Sequence, residues 1–205
     1  MSGRRLGVLI SGLGSNLQAI LDAVAAGQLR AAVEVVISNR PGAGGLERAQ
    51  QAGISTVVLE HTSFDQREDY DLALVTELRR HDVDLVCLAG FMRLLSATFV
   101  EAFPNRILNI HPSLLPAFPG LHAQDRAWRH GVKVAGATVH VVIPELDAGP
   151  IVLQSAVPVE DNDTPDTLAA RILAAEHRIY PEAIGIMLDG HWRIDGRRFL
   201  RTAER

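Results

Sequence analysis

The sequence of 205 residues lacks several features that define special classes of protein. Its one cysteine, Cys87, excludes a disulfide framework and lies in an apolar run typical of a buried strand. No run approaches the roughly 20 consecutive apolar residues that span a bilayer. The first apolar run, Leu6 to Ile10, is also too short for a secretory signal. We therefore predict a cytoplasmic protein that does not insert into membranes.

An excess of positive charge is missing as well. The chain has 20 Lys and Arg residues against 24 Asp and Glu residues, which gives a net charge of −4 at pH 7. A protein that tracks a nucleic-acid backbone needs a broad basic surface. We therefore expect neither nucleic acid nor a membrane as a partner of this chain, and a homodimer is left open.

The histidines also lack the sequence spacing that is typical of metal ligands. The 8 histidines include His111, His122 and His140, which are too scattered in the sequence to form a recognisable zinc motif. No HExxH pattern occurs on a predicted helix. The sequence therefore predicts no metal site.

Short apolar segments alternate with segments of helical periodicity along the chain. Strands are predicted over residues 6–10, 33–37, 56–59, 85–88, 107–110, 137–143 and 151–157, and helices over residues 15–26, 45–52, 65–81, 96–103 and 164–180. Pro181 is expected to kink or end the last helix, and residues 192–200 to form a hairpin that turns at Asp195-Gly196. The pattern predicts an α/β fold, a Rossmann-like three-layer sandwich with a mostly parallel central sheet and a mixed C-terminal half. One domain over residues 1–205 is expected, with the tail beyond about residue 181 the least defined.

The turn after the first strand carries a candidate anion site. In α/β sheets, ligands bind beyond the carboxyl ends of the strands, which places the loops after Ile10, Leu88 and Ile110 at the expected site. Gly12-Leu-Gly-Ser-Asn16 opens the first helix, whose N–H groups and dipole favour a phosphate. The third glycine of a dinucleotide fingerprint and the Gly-Lys-Ser/Thr of a P-loop are absent. On these residues alone, a simple tight turn capped by Ser15 is the alternative.

Asn109 and His111 lie two residues apart in a predicted strand and the loop that follows it, so their side chains project to the same face. An attacked carbonyl group at that position would receive a hydrogen bond from one side chain and exchange a proton with the other. Asp147, in the loop that ends at Gly149-Pro150, would tune the imidazole if the fold brings it near. A structural histidine and a turn-forming aspartate are the alternatives.

The chain carries a series of longer motifs: Ile10-Ser-Gly-Leu-Gly-Ser-Asn-Leu-Gln-Ala-Ile20, Leu88-Ala-Gly-Phe-Met-Arg-Leu-Leu-Ser96, Leu108-Asn-Ile-His-Pro-Ser-Leu-Leu-Pro-Ala-Phe-Pro-Gly-Leu-His122, Gly136-Ala-Thr-Val-His140, Glu145-Leu-Asp-Ala-Gly-Pro150 and Glu176-His177. Their order and spacing resemble those of the glycinamide ribonucleotide formyltransferases of de novo purine synthesis. The likeness runs from Leu6 to about Tyr180. Leu13 departs from the many members with a polar residue there, and we expect little effect because that turn offers mainly its backbone.

The resemblance implies transfer of the formyl group of the co-substrate 10-formyltetrahydrofolate to the amine of glycinamide ribonucleotide. Asn109 and protonated His111 would hold the oxyanion, and Asp147 would raise the pKa of His111. The acceptor's phosphate and its ribose or glycinamide portion would contact Gly14, Ser15, Asn16 and Glu176. The folate pocket would be lined by Arg67, Met92, Arg93, Leu94, Leu95, Asn109, Ile143, Pro144, Glu145, Leu146 and Asp147. From the residues alone, Arg67 and Glu176-His177 would be solvent-facing helix residues.

Two related enzymes and one unrelated class of protein are the rival hypotheses. A methionyl-tRNA formyltransferase would add a C-terminal domain and a basic segment where this chain has Pro116-Ala-Phe-Pro-Gly-Leu-His122. A formyltetrahydrofolate hydrolase usually adds an N-terminal domain, for which we expect no room. A silent folate- or nucleotide-binding module would bind without turnover. Formate used with ATP would need an ATP-binding motif that the sequence does not display.

Overall fold

The computed structural model describes residues 4–202 and separates into two compact units, with the division between Leu108 and Asn109. Within the described residues, no helix is long and apolar enough to cross a membrane. The expectation of one domain over residues 1–205 stays a prediction.

The first unit is built from parallel strands and the helices that connect them. Its strands are β1 (Arg5–Ile10), β2 (Ala32–Ser38), β3 (Ser55–Val58) and β4 (Leu85–Leu88). Their order is β3-β2-β1-β4, and β1 pairs in parallel with both β2 and β4, as β2 does with β3. Its helices are α1 (Ser15–Ala25), α2 (Gly44–Gln51), α3 (Arg67–Arg80) and α4 (Ala97–Ala102), and a short 3₁₀ helix covers His61–Ser63.

The strands of the first unit consist largely of apolar residues and are buried in its core. Leu6, Val8 and Leu9 of β1 are fully buried, as expected of a central strand in a parallel sheet. Cys87 of β4 is fully buried too, so its predicted place in the core is confirmed.

The second unit is mixed. β5 (Ile107–His111) contains the division between the units, and α5 (Ala123–His130), β6 (Val134–Val141), β7 (Ile151–Pro158), α6 (Pro165–Asp189), β8 (Trp192–Asp195) and β9 (Arg198–Arg201) follow it. The strand order is β5-β6-β7-β9-β8, in which β6 and β7 are antiparallel, β7 and β9 parallel, and β8 and β9 an antiparallel hairpin. The predicted α/β class, with a mostly parallel sheet and a mixed C-terminal half, is confirmed.

The long helix α6 continues through Pro181 to Asp189, so its predicted end near Tyr180 is wrong. An internal proline removes one backbone hydrogen bond and costs roughly 3 kcal/mol. Beyond it, Ile184 and Met187 are buried, and burial of each such side chain contributes about 1.5–3 kcal/mol. Tertiary burial therefore outweighs the local preference to stop.

Helix α5 is an element that the sequence pattern does not predict. Its buried residues are Ala123 and Ala127, too few to give the broad apolar stripe by which a helix is recognised. Gly131 ends it with a φ of 74°, in the left-handed conformation common after a helix. Trp128 Nε1 donates a hydrogen bond to the Asp163 carbonyl at 2.6 Å, which ties α5 to the segment before α6.

The start of α6 allows a test of its cap. Thr164 Oγ1 accepts a hydrogen bond from Thr167 N at 3.2 Å, and Thr167 Oγ1 accepts one from Thr164 N at 2.9 Å. We expect Thr164→Ala to lower the free energy of unfolding by about 1 kcal/mol, because the orphan N–H loses its acceptor, and Thr164→Ser to retain most of it. Urea unfolding followed by circular dichroism measures both. An alanine variant as stable as the parent would contradict the cap.

Candidate active site

The turn between β1 and α1 lines a cavity in the first unit. Gly14 has a φ of 73° and occupies the N-cap, so Ser15 is the first helical residue and not the cap. The cavity, of about 300 Å³, is lined by Ser11, Gly12, Leu13, Gly14, Ser15, Asn16, Arg40, Ala89, Gly90 and Met92. The predicted phosphate residues Gly14, Ser15 and Asn16 therefore lie together. Arg40 adds a cation that the sequence analysis did not identify.

Helix α2 holds this turn in place. The Gly45 N–H donates to the Gly12 carbonyl at 3.1 Å, and Arg48 Nε donates to the Leu13 carbonyl at 2.9 Å. A Cβ atom on Gly14 would lie 2.5 Å from the Cα of Gly45, so the close approach of α2 requires glycine at that position.

The second unit assembles the predicted catalytic residues. Asn109 and His111 lie on β5, and the loop between β6 and β7 brings Asp147 to them. His111 Nδ1 is 3.4 Å from Asp147 Oδ2, and both side chains are 7% exposed. Asp147 has a φ of 49°, a left-handed conformation that aspartate tolerates better than most residues. The two-residue spacing on β5 and the tight loop between β6 and β7 therefore bring Asn109, His111 and Asp147 into one cluster.

His140, at the end of β6, joins Asn109 to Asp147. Its Nε2 lies 3.2 Å from Asn109 Nδ2 and 3.6 Å from Asp147 Oδ1. Its Nδ1 lies 3.1 Å from the Val141 carbonyl, which can only accept, so Nδ1 carries a proton. With the proton on Nδ1, Nε2 is left to accept a hydrogen bond from the Asn109 amide. The sequence analysis weighed His140 only as a metal ligand, and the structure places it beside Asn109.

The contact with the Phe118 carbonyl indicates that Nε2 of His111 carries a proton. His111 Nε2 lies 2.9 Å from this oxygen, so Nε2–H is the donor. In the neutral ring, Nδ1 then carries a lone pair and faces the Asp147 carboxylate. Two acceptors that face each other cannot form a hydrogen bond, which agrees with the longer separation of 3.4 Å.

Burial lowers the pKa of His111 below its ordinary value. The Phe118 carbonyl and the Asp147 carboxylate oppose that shift, because both favour the charged ring, while the nearby His140 and Arg126 reinforce it. Asp147 therefore acts in the direction implied by the family resemblance, but burial is the larger effect. The ring is mainly neutral at pH 7 in the resting site.

Asp147 is ionised in the same cluster. Burial alone would raise its pKa, but the neighbouring His140 ring, the hydrogen bond from the Gly120 N–H and the neighbouring His111 ring hold the pKa below its ordinary value. The Gly120 N–H donates to Oδ2 at 2.8 Å. The resting cluster thus combines a carboxylate with a neutral imidazole.

The other predicted residues are distributed over both units. Glu176 of α6 is buried, so its interpretation as a solvent-facing residue is wrong, whereas the Arg67 side chain is 46% exposed and lies 3.5 Å from Glu68. Of the predicted folate residues, Met92, Leu94, Pro144, Glu145 and Leu146 are exposed, and Arg93, Leu95 and Ile143 are half-buried. Their contact with folate stays a prediction.

Two histidines and one aspartate meet at this cluster, but their arrangement does not suit a metal ion. Across residues 4–202, the structure contains no group of three or more His, Cys, Asp or Glu side chains placed to hold one.

Comparison with known proteins assigns the family. A family model described as formyl transferase matches residues 4–184. The chain belongs to the formyl transferase family. The match covers the turn after β1 and also Asn109, His111 and Asp147.

Several formyl transferases resemble the chain over nearly its whole length. The phosphoribosylglycinamide formyltransferase of Escherichia coli is 49% identical over 187 residues, which cover 91% of this chain and 88% of that protein. A crystal structure of glycinamide ribonucleotide transformylase 1 from Symbiobacterium toebii is 55% identical, with a TM-score of 0.96, and covers 98% of this chain and 95% of that one. The predicted membership of the phosphoribosylglycinamide formyltransferases, enzymes of purine biosynthesis, is confirmed.

A similar sequence also occurs within a longer protein. The trifunctional purine biosynthetic protein adenosine-3 of Drosophila melanogaster is 50% identical over 189 residues, which cover 91% of this chain. The chain spans only 14% of the length of that relative.

The opposing effects on His111 allow a test. Because the Asp147 carboxylate draws the pKa of His111 upward, Asp147→Asn should lower that pKa further and leave the ring neutral over a wider pH range. The titration of the His111 Cε1–H signal in NMR spectra measures the shift, with His111→Gln used to assign the signal. A pKa that stays the same or rises in Asp147→Asn would show that the carboxylate does not act on the ring.

Proposed function

We propose that this formyl transferase moves the formyl group of 10-formyltetrahydrofolate to the amine of 5'-phosphoribosylglycinamide, in the cytoplasm and without a metal. The observation that supports the proposal is the buried contact of His111 with Asp147 at 3.4 Å, next to the amide of Asn109. Acyl transfer to an amine needs a hydrogen-bond donor for the oxyanion and a group that exchanges protons near neutral pH. The names of the relatives point to the same reaction.

The proposed reaction forms a bond from the acceptor nitrogen to the formyl carbon and breaks the bond from that carbon to N10 of the folate. Between these events, the carbonyl oxygen carries a negative charge. Asn109 donates one N–H to His140, and its second N–H is available for the oxyanion. The amine loses one proton and N10 gains one, so a single proton carrier balances the reaction.

His111 and Asp147 are the proposed carrier of this proton. The lone pair on Nδ1 and the carboxylate have room for one proton between them, which the attacking amine supplies. The ring then becomes an imidazolium that stabilises the oxyanion together with Asn109. Because burial lowers the pKa of His111, the ring readily returns the proton to N10 as the intermediate collapses.

The substrate contacts implied by the family resemblance are part of the proposal. The first unit would bind the acceptor's phosphate at Gly14, Ser15 and Asn16, where the N-terminus of α1 favours an anion. In the second unit, Glu176 would contact the ribose or glycinamide portion of the acceptor. The folate would contact residues from the set Arg67, residues 92–95, Asn109 and residues 143–147. Assembly as a homodimer stays a prediction.

A spectrophotometric assay distinguishes this function from its rival. Release of tetrahydrofolate from 10-formyltetrahydrofolate is expected only when 5'-phosphoribosylglycinamide is present, because the amine is the nucleophile. Equal release without the acceptor would identify water as the nucleophile and the protein as a hydrolase. Binding of the folate with no release in either mixture would contradict catalysis altogether.

Two substitutions test the proposed roles. His111→Ala should lower kcat by roughly 10²–10⁴, because it removes the proton carrier. Asn109→Ala should lower kcat by about 10²–10³, because it removes one donor to the oxyanion. Steady-state rates with both substrates saturating measure these losses.

Exposed residues of the same types provide controls for these variants. His191 and Asn162 lie on the surface of the second unit, and their alanine variants should keep full activity. Circular dichroism and thermal unfolding establish that all four proteins fold. A folded His111→Ala or Asn109→Ala variant with normal turnover would remove that residue from the mechanism.

A further inference from the structure

Residues 91–96, between β4 and α4, form a segment without regular secondary structure. The segment contains residues 92–95, which the proposed function assigns to the folate. The side chains of Met92 and Leu94 are apolar, yet these residues are 62% and 57% exposed. Because the segment belongs to neither a helix nor a strand, its backbone N–H groups depend on acceptors from elsewhere in the chain.

Ser11 supplies such an acceptor at the start of the segment. Its Oγ accepts a hydrogen bond from the Met92 N–H at 2.8 Å, and its own N–H donates to the Gly90 carbonyl at 3.2 Å. Ser11 is buried and directly follows β1, which pairs with β4. The start of the segment is therefore bound to the end of a central strand of the first unit.

Asp71 of α3 supplies an acceptor at the end of the segment. Asp71 is buried, and its Oδ2 accepts a hydrogen bond from the Ser96 N–H at 2.5 Å. Ser96 is the N-cap of α4, where its Oγ accepts from the Phe99 N–H at 3.4 Å. A carboxylate is a stronger acceptor than a neutral oxygen. The Asp71 side chain therefore fixes the point at which the segment enters α4.

These two bonds restrain a stretch that packing restrains little. Between Met92 and Ser96, Leu94 is exposed, and Arg93 and Leu95 are half-buried. A buried carboxylate is costly unless it is compensated by hydrogen bonds, and here the compensation comes from the backbone of this segment. A binding segment that is ordered before its ligand arrives does not lose that freedom on binding.

We propose that Ser11 and Asp71 are positioning residues of the folate subsite, which hold residues 92–95 in the conformation that contacts the folate. This inference rests on the proposed function, in which these residues bind 10-formyltetrahydrofolate. Without the Asp71 acceptor, the segment would become ordered only when the folate binds, so the affinity for folate would fall. Asp71 does not line the cavity at the turn after β1, so the affinity for the phosphorylated acceptor would not change.

A matched pair of variants at Asp71 tests the proposal. Asp71→Asn keeps an oxygen that accepts from the Ser96 N–H, whereas Asp71→Leu has a similar shape and no acceptor. Both variants remove the same charge, so the difference between them isolates the hydrogen bond. In isothermal titration calorimetry, Asp71→Leu should bind tetrahydrofolate about tenfold more weakly and bind 5'-phosphoribosylglycinamide as the parent does. Asp71→Asn should bind tetrahydrofolate within about threefold of the parent.

Hydrogen exchange measures the restraint in the absence of any ligand. The Ser96 amide should exchange roughly tenfold faster in Asp71→Leu than in Asp71→Asn, because its acceptor is lost. Equal exchange in the two variants would overturn the proposal. Unchanged binding of tetrahydrofolate to Asp71→Leu would also overturn it, and so would an equal loss of affinity for both ligands, which would indicate general damage to the fold.

If Asp71→Leu does not fold, Ser11→Ala tests the other end of the segment. It should speed exchange of the Met92 amide and weaken tetrahydrofolate binding, and a variant that matches the parent in either measurement would contradict the proposal. Failure of the proposed function would appear separately. In that case the parent protein itself would bind no tetrahydrofolate and transfer no formyl group.

Discussion

The hydrogen bond from His111 Nε2 to the Phe118 carbonyl is the interaction on which the candidate site depends. Because it places the ring proton on the side away from Asp147, a lone pair faces a carboxylate at 3.4 Å. That contact is unfavourable at rest and becomes favourable once a proton enters it. Burial strengthens both effects, since little water remains to screen the charges. The fold therefore holds the His111 imidazole and the Asp147 carboxylate side by side.

Local rules explain which members of this site can be predicted from sequence. Asn109 and His111 share one strand, where alternate residues project to one face, so their spacing is informative. Asp147 is ambiguous as a lone loop residue and gains meaning only from the motif around it. His140 lies 31 positions from Asn109, and no local pattern indicates their contact. Phe118 acts through a backbone carbonyl, which every residue type possesses, so its identity carries no signal.

The elements of the fold are likewise predicted well where local effects dominate and poorly where long-range contacts dominate. The parallel strands of the first unit are predicted well because a strand buried on both faces is apolar throughout. Helix α5 is missed because its stability comes from contacts such as the bond of Trp128 to Asp163, and not from its own apolar stripe. The end of α6 is misplaced because Pro181 is a local signal that the burial of Ile184 overrides. Errors therefore occur where packing opposes the local preference.

Helix α2 determines which atoms the turn after β1 presents. The carbonyls of Gly12 and Leu13 accept from the Gly45 N–H and from Arg48. In a planar trans peptide, a carbonyl and the following N–H point in opposite directions, so the N–H groups of Leu13 and Gly14 point away from α2. An anion is attracted by N–H groups and repelled by carbonyl oxygens, so this orientation favours the proposed phosphate site. The glycines of the turn permit this orientation but do not impose it, which is why the turn alone gives a weak signal in the sequence.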